Sequence, residues 1–183
     1  MAEGILLARH GETDDNLPPI RVQGFTDTPL NDTGRRQAAQ LADRVAGEGL
    51  VSLWASDLSR ARETAEIVGD RVGLEPRLDC RLREAWRGRW EGCRFIDIER
   101  EEPDLYAAWR RAGESFRFPG GESLRDQADR VSACIRDIRG TGELPALVVC
   151  HGGSIRVMLC LRDPRGLDAF HQFEVPNVAV VRL

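Results

Sequence analysis

Two apolar runs in this chain end in the same way. Gly4 to Ala8 is small or apolar throughout and stops at Arg9-His10-Gly11. Ala146 to Cys150 is apolar throughout and stops at His151-Gly152-Gly153. Short apolar runs bounded by glycine read as strands buried on both faces, as in parallel sheets. In open α/β sheets the loops leaving the carboxyl ends of such strands form the binding crevice. The chain has three histidines, and two of them are delivered at such ends. They are expected to face each other although 141 positions separate them. His171 stands apart and reads as a hydrogen-bonded structural residue.

The intervening chain alternates strand and helix. Glu12 to Thr28 is polar, rich in turn residues and long for a connection, which suits a functional loop. Asn31 caps a helix whose apolar stripe is Ala38, Leu41, Ala42 and Val45 and which ends near Gly47-Glu48-Gly49. Leu50 to Ala55 is a second strand, and Ser56 is placed to cap a helix running to about Gly73. Pro76 to Asp79 is an edge segment, followed by Leu82-Arg83-Glu84 and a loop with Trp86, Trp90 and two glycines. Phe95 to Ala112 is helical, interrupted at Pro103, and forms a small cover. Trp86, Trp90 and Trp109 read as core or cover packing. Ser123 caps a helix striped by Leu124, Ala128, Val131, Ile135 and Ile138. Ser154 to Leu161 is a further helix, and Val178 to Leu183 a last strand. The pattern specifies an α/β domain with helices on both faces of a mostly parallel sheet. All 183 residues are expected in one domain, with a cover segment at about 93–118.

Charge and cysteine usage narrow the function. Net charge is -4, which gives no reason to expect nucleic acid. No apolar run approaches the ~20 residues of a membrane helix, and Met1-Ala2-Glu3-Gly4 lacks the form of a secretory signal. Five cysteines show no paired spacing, the pattern of reduced thiols in a cytoplasmic protein. All 26 basic residues are arginine; codon bias explains most of them.

The strand ends bring together Arg9, His10, Arg60 from the first turn of a helix, and His151. Backbone N–H groups near Gly152 and Gly153, at a helix N-terminus, add anion affinity. Donors converging from several directions suit a tetrahedral phosphoryl group better than a carboxylate. A neutral imidazole is a competent nucleophile towards phosphorus, and nearby arginines disfavour its protonation. Glu84, on the loop after the edge segment, is a candidate acid for the leaving alkoxide. There is no metal-ligand cluster, and neither a metal nor another cofactor is expected.

These residues also lie in blocks that resemble a known family. Arg9-His10-Gly11-Glu12-Thr13 with Asn16 looks like the signature of the histidine phosphatase superfamily, the phosphoglycerate mutase-like proteins. Gln23 to Leu30, Ser56 to Ala65, Leu82-Arg83-Glu84 with Trp90-Glu91-Gly92, Phe118 to Ser123 and Val149 to Gly153 resemble its later blocks in order, and Asn177 the asparagine before its last strand. The resemblance implies a three-layer α/β/α sandwich. It implies that His10 is phosphorylated, that Glu84 gives and takes the proton, and that Arg9, Arg60 and His151 hold the phosphoryl group. Asn16 and the Gly152 backbone would assist, and Gln23 and Gly24 would line the substrate side. Asp15 departs from a tryptophan common in the family, and the loop from Asn16 to Arg21 is a residue longer than usual, so the pocket rim differs.

Hydrolysis of small phosphomonoesters is the expected activity. Only about 36 residues separate Glu84 from Gly120, too few for the extra segments that the family's mutases carry over their site. The block Pro119 to Ser123 resembles the small bacterial phosphatases. Mutase-type phosphoryl transfer and a non-catalytic binding role are the alternatives. The expected partner is a small phosphorylated metabolite; a homodimer is left open.

Overall fold

The computed structural model describes residues 4–111 and 113–183. A five-stranded sheet runs through it in the order β3-β2-β4-β1-β5. The strands are β1 (Ile5–Arg9), β2 (Ser52–Ala55), β3 (Pro76–Leu78), β4 (Ala146–Cys150) and β5 (Val180–Arg182). The first four are mutually parallel, and β5 runs antiparallel along β1.

The two-residue alternation of a strand divides the core. Ile5, Leu7, Ala146, Val148 and Cys150 face one apolar layer; Leu6, Ala8, Leu147 and Val149 face the other. Helices α1 (Asp32–Val45) and α2 (Ser59–Val72) close the second layer with Leu41, Ala42, Val45, Ala61, Ala65 and Val68. Helices α5 (Leu124–Gly140) and α6 (Gly152–Cys160) close the first. The result is the three-layer sandwich. Leu147 is wholly enclosed, and truncating such a leucine to alanine costs about 2–5 kcal/mol.

Helices α3 (Phe95–Glu101) and α4 (Pro103–Arg110) meet at Pro103, where the sequence places the break. Proline at the first helical position lacks only an N–H that would have no intrahelical partner. Buried Trp90 packs edge-on against Trp109 and Phe118, and Phe95 stacks on Trp109. His171 Nε2 donates to the Trp109 carbonyl, 2.8 Å away, and the ring packs edge-on to the indole. Trp86 alone of the three is exposed.

Several boundaries differ from the sequence reading. Asn31 caps α1 by accepting from the Gly34 N–H, as expected. Ser56, however, does not cap α2. That helix begins at Ser59, whose N–H donates to Asp27 Oδ1 at 2.7 Å. The cap thus comes from a distant loop, and Ser56 is released for another partner. The second strand starts at Ser52, because Leu50 and Val51 still belong to the connection that precedes it and Val51 is half exposed. Helix α6 starts two residues early, at Gly152, and β5 is three residues long.

Candidate active site

Pairing of β1 with β4 aligns Arg9 with Cys150. The next residue on each strand, His10 and His151, therefore leaves the sheet at the same level. Their ring centroids are 5.2 Å apart. Both imidazoles are buried, and no side chain can replace Gly11 between the strand and α1: a Cβ there would lie 2.4 Å from the Gly34 carbonyl oxygen.

His10 Nδ1 is 2.6 Å from the carbonyl oxygen of Gly11. A carbonyl can only accept, so this contact assigns the proton to Nδ1 and leaves Nε2 with a free lone pair. Burial, and then the charges of Arg60 and Arg9, hold the pKa of His10 well below the ordinary imidazole value. The ring is neutral at neutral pH. His151 is held low in the same way by burial, Arg60 and His10. Its Nε2 lies 2.8 Å from Ser56 Oγ, and its Nδ1 is buried without a partner.

Arg60 is fully enclosed at the start of α2. Its Nη1 and Nη2 donate to the carbonyls of Thr26 and Gly24, each at 2.8 Å. Those bonds fix the guanidinium while leaving Nε unpartnered. Burial lowers its pKa to about 10, so it stays charged. Arg9 donates to the Val175 carbonyl at 2.7 Å. Asn16 Oδ1 accepts from the Thr13 N–H and from Asn177 Nδ2, which also reaches the His10 carbonyl. Gln23 donates to Thr13 Oγ1 at 2.6 Å. Gly24 adopts φ of 53°, where a Cβ would strike Glu91 Oε1 and Arg87 Cγ.

Among the described residues, Glu84 is the one carboxylate on the cavity wall. Oε1 accepts from the Ala85 N–H and Gln127 Nε2, both at 2.9 Å, and Oε2 from the Gly153 N–H at 2.8 Å. Burial acts to raise its pKa. The Arg87 charge and these three donors outweigh that and hold it near 2. The Gly153 N–H is thereby committed to Glu84. Of the two glycine amides expected to bind an anion, Gly152 alone remains for that purpose.

The supporting roles of three groups escape sequence reading. Arg130 on α5 donates to the carbonyls of Arg81, Arg83 and Glu84 and to both oxygens of Glu122. Gln127, one turn earlier, bonds Glu84 itself. Glu91 accepts from the N–H groups of Phe25 and Arg87, tying the loop at Gly24 to the acid-bearing loop. A polar position on an amphipathic helix gives no sign that it faces another loop; full burial of Gln127 is visible only in three dimensions.

The cavity these groups enclose measures about 290 Å³ and is lined by Arg9, His10, Asn16, Gln23, Gly24, Arg60, Glu84 and Gly152, among others. His151 is not on its wall but beside His10. All nine residues expected at a site therefore gather at the carboxyl end of the sheet. Among the described residues, no three histidine, cysteine or acidic side chains cluster as metal ligands.

A three-layer α/β/α fold that surrounds an unprotonated imidazole nitrogen with guanidinium groups at the carboxyl end of its sheet defines a phosphoryl-handling class of protein. The family model of the histidine phosphatase superfamily (branch 1) matches residues 5–183. The chain belongs to that family and is a phosphatase, a phosphoric monoester hydrolase. It is 34% identical over 164 residues to a glucosyl-3-phosphoglycerate phosphatase of Mycolicibacterium vanbaalenii, covering 84% of this chain and 71% of the relative. It is 38% identical over 156 residues to a probable phosphoglycerate mutase GpmB of Salmonella paratyphi B, covering 81% and 69%. Among solved structures, Bacillus stearothermophilus YhfR superposes with a TM-score of 0.90 at 30% identity, covering 99% of this chain and 90% of that one. A mycobacterial glucosyl-3-phosphoglycerate phosphatase in complex with VO3 superposes at 0.88, with 30% identity and the same coverage.

Proposed function

We propose that this enzyme hydrolyses small phosphomonoesters by way of a phosphohistidine at His10, without a metal ion. The reading rests chiefly on the Nδ1–Gly11 contact, which leaves Nε2 as a nucleophile inside a cationic cavity. Nε2 attacks phosphorus as the ester P–O bond breaks. Arg9, Arg60, Asn16, the Gly152 amide and Nδ1 of His151 hold the phosphoryl oxygens, and Gln23 and Gly24 meet the rest of the substrate. The guanidinium groups supply the charge neutralisation that a metal ion supplies elsewhere.

Glu84 protonates the departing alkoxide, then takes a proton from the water that attacks the phosphohistidine and frees His10. A carboxyl held near pH 2 in the free enzyme does not carry that proton at rest. An ester that binds as its monoanion brings one, and its charge offsets the arginines that depress the carboxyl, so the proton moves to Glu84. Residues 93–118 act as a lid within a single catalytic domain. Five unpaired thiols support a cytoplasmic setting.

Hydrolysis of p-nitrophenyl phosphate in the presence of a chelator tests the reading. The native protein releases phosphate and gives an acid-labile phosphoenzyme; His10→Ala gives neither. Labelling retained in that variant would refute the nucleophile. Mutase-type transfer, the activity that the GpmB relative's name carries, would instead show as interconversion of phosphoglycerates with little hydrolysis.

A further inference from the structure

Glu84 is held from behind by two helices. Gln127 of α5 and Ser154 of α6 are both fully buried. Neither lines the cavity, whereas Glu84 and Gly153 do. Gln127 Nε2 donates to Glu84 Oε1 at 2.9 Å and to Ser154 Oγ at 3.3 Å. The serine is free to accept because its own proton goes to the Arg83 carbonyl, 3.0 Å away. Both amide protons of Gln127 are thus engaged, while Gln127 Oε1 is buried without a partner. An unmet buried carbonyl is costly. Turning the amide over would set that oxygen against a carboxylate, which can only accept. The acid, not the best pairing of the amide itself, dictates how Gln127 is oriented.

An ionised carboxylate has about four lone-pair sites. On Glu84 three of them are taken. Oε1 receives the Ala85 N–H and Gln127 Nε2, both at 2.9 Å, and Oε2 receives the Gly153 N–H at 2.8 Å. Arg87 Nη2 stands 3.6 Å from Oε1, too far to occupy a site. The remaining site is on Oε2. Oε2 is also the oxygen held by a residue of the cavity wall, whereas Gln127 holds Oε1 from behind it. The Ala85 amide by itself would leave Oε1 half open, and Gln127 closes it.

We infer that Gln127 is a positioning residue that keeps the proton off Oε1 of Glu84, so that Oε2 alone carries it to and from the reacting oxygens. This role presupposes that Glu84 is the acid. The proton passes from the bound ester to Oε2, and from Oε2 to the departing alkoxide as the P–O bond breaks. It returns to Oε2 from the water that attacks the phosphohistidine. Gln127 touches no substrate atom and gives up no proton.

Two substrates of the full-length protein test this role. Ethyl phosphate has an oxygen that must be protonated as it leaves; p-nitrophenyl phosphate does not. The ratio of their kcat/KM values within one preparation does not depend on how much of a variant is folded. Gln127→Met is close in length but offers Oε1 no donor. It should lower kcat/KM about tenfold for ethyl phosphate and less than about twofold for p-nitrophenyl phosphate. Gln127→Glu keeps the shape, and the two carboxyl groups then share one proton between Oε1 and position 127. A carboxyl so engaged takes up a second proton on Oε2 poorly, so the ratio should fall about a hundredfold. A packing role alone would leave the ratio native in both variants and would overturn the assignment.

The same substitution with Glu84→Gln in place separates the two claims. In Glu84→Gln the ratio should already be low, and Gln127→Met should lower it no further. A further loss there would mean that Gln127 acts apart from the acid, which rejects the role. A native ratio in Glu84→Gln alone would reject the acid and the role with it. A low ratio there, beside native ratios in both Gln127 variants, would reject the role and leave the acid standing.

Discussion

Ser56 Oγ lies 2.8 Å from His151 Nε2, and both side chains are fully buried. Ser56 also accepts from the Leu58 N–H at 3.4 Å. The phosphoryl-holding role proposed for His151 needs the ring proton on Nδ1, the atom without a partner, and Ser56 serves that role by donating its own proton to Nε2.

Replacing Ser56 with alanine should therefore release the tautomer. We expect kcat/KM for p-nitrophenyl phosphate to fall about tenfold, and stability to fall by about 1–3 kcal/mol for the buried nitrogen left unmet. Steady-state kinetics and urea unfolding measure the two losses. Unchanged kinetics would show that the tautomer does not depend on this hydroxyl.

Arg130 makes five hydrogen bonds to two loops, so its planar fork cannot be replaced by a point charge. Arg130→Lys should lower kcat by more than tenfold and destabilise the protein by about 2–3 kcal/mol. Amide exchange should rise in residues 81–86. A lysine variant with native exchange there would remove Arg130 from its role as the support of the acid-bearing loop.

Gly153 approaches the acid so closely that a Cβ would lie 2.1 Å from Glu84 Oε1. Gly153→Ala should displace the carboxylate, and the damage should follow the leaving group. Hydrolysis of an alkyl phosphate, whose oxygen needs a proton, should slow by at least tenfold more than that of p-nitrophenyl phosphate. Equal slowing would argue against Glu84 as the acid.

Acid should act on stability in two stages. His10 and His151 have folded pKa values well below the unfolded value of about 6.5. The unfolded chain binds protons there that the native state refuses. Their contribution is complete above pH 6.5 and declines as pH falls below it, by at most about 1.4 kcal/mol per pH unit for each ring. Glu84, held near 2 against an ordinary 4.5, contributes fully above pH 4.5 and loses that contribution towards pH 2. Urea midpoints across pH 4–8 and NMR titration of the imidazoles check this. Either ring charging at pH 6.5 or above would contradict the burial argument.

How far this protein can be read from its residues depends on the range of each interaction. The strand ends at His10 and His151 are legible because apolar runs and glycines are local signals. The cap at Ser123 is equally local and appears as expected, its Oγ accepting from the Asp126 N–H. Ser56 departs from its expected role because its local pattern fits a cap, while its partner His151 lies 95 positions away. Arg87, Gln127 and Arg130 are invisible for a related reason. In a chain with 26 arginines, only packing separates a guanidinium in a cavity from one in solvent.

The alignment of Arg9 with Cys150 has a consequence for how the chain can change in length. Deleting or inserting one residue in β1 or β4 would shift one imidazole along the sheet by about 3.3 Å, more than displacement at phosphorus tolerates. The exposed stretch 17–19 carries no such constraint, because it lies in a loop beside the cavity rim at Ile20. Indels are thus permitted on that rim and forbidden where the bond is broken.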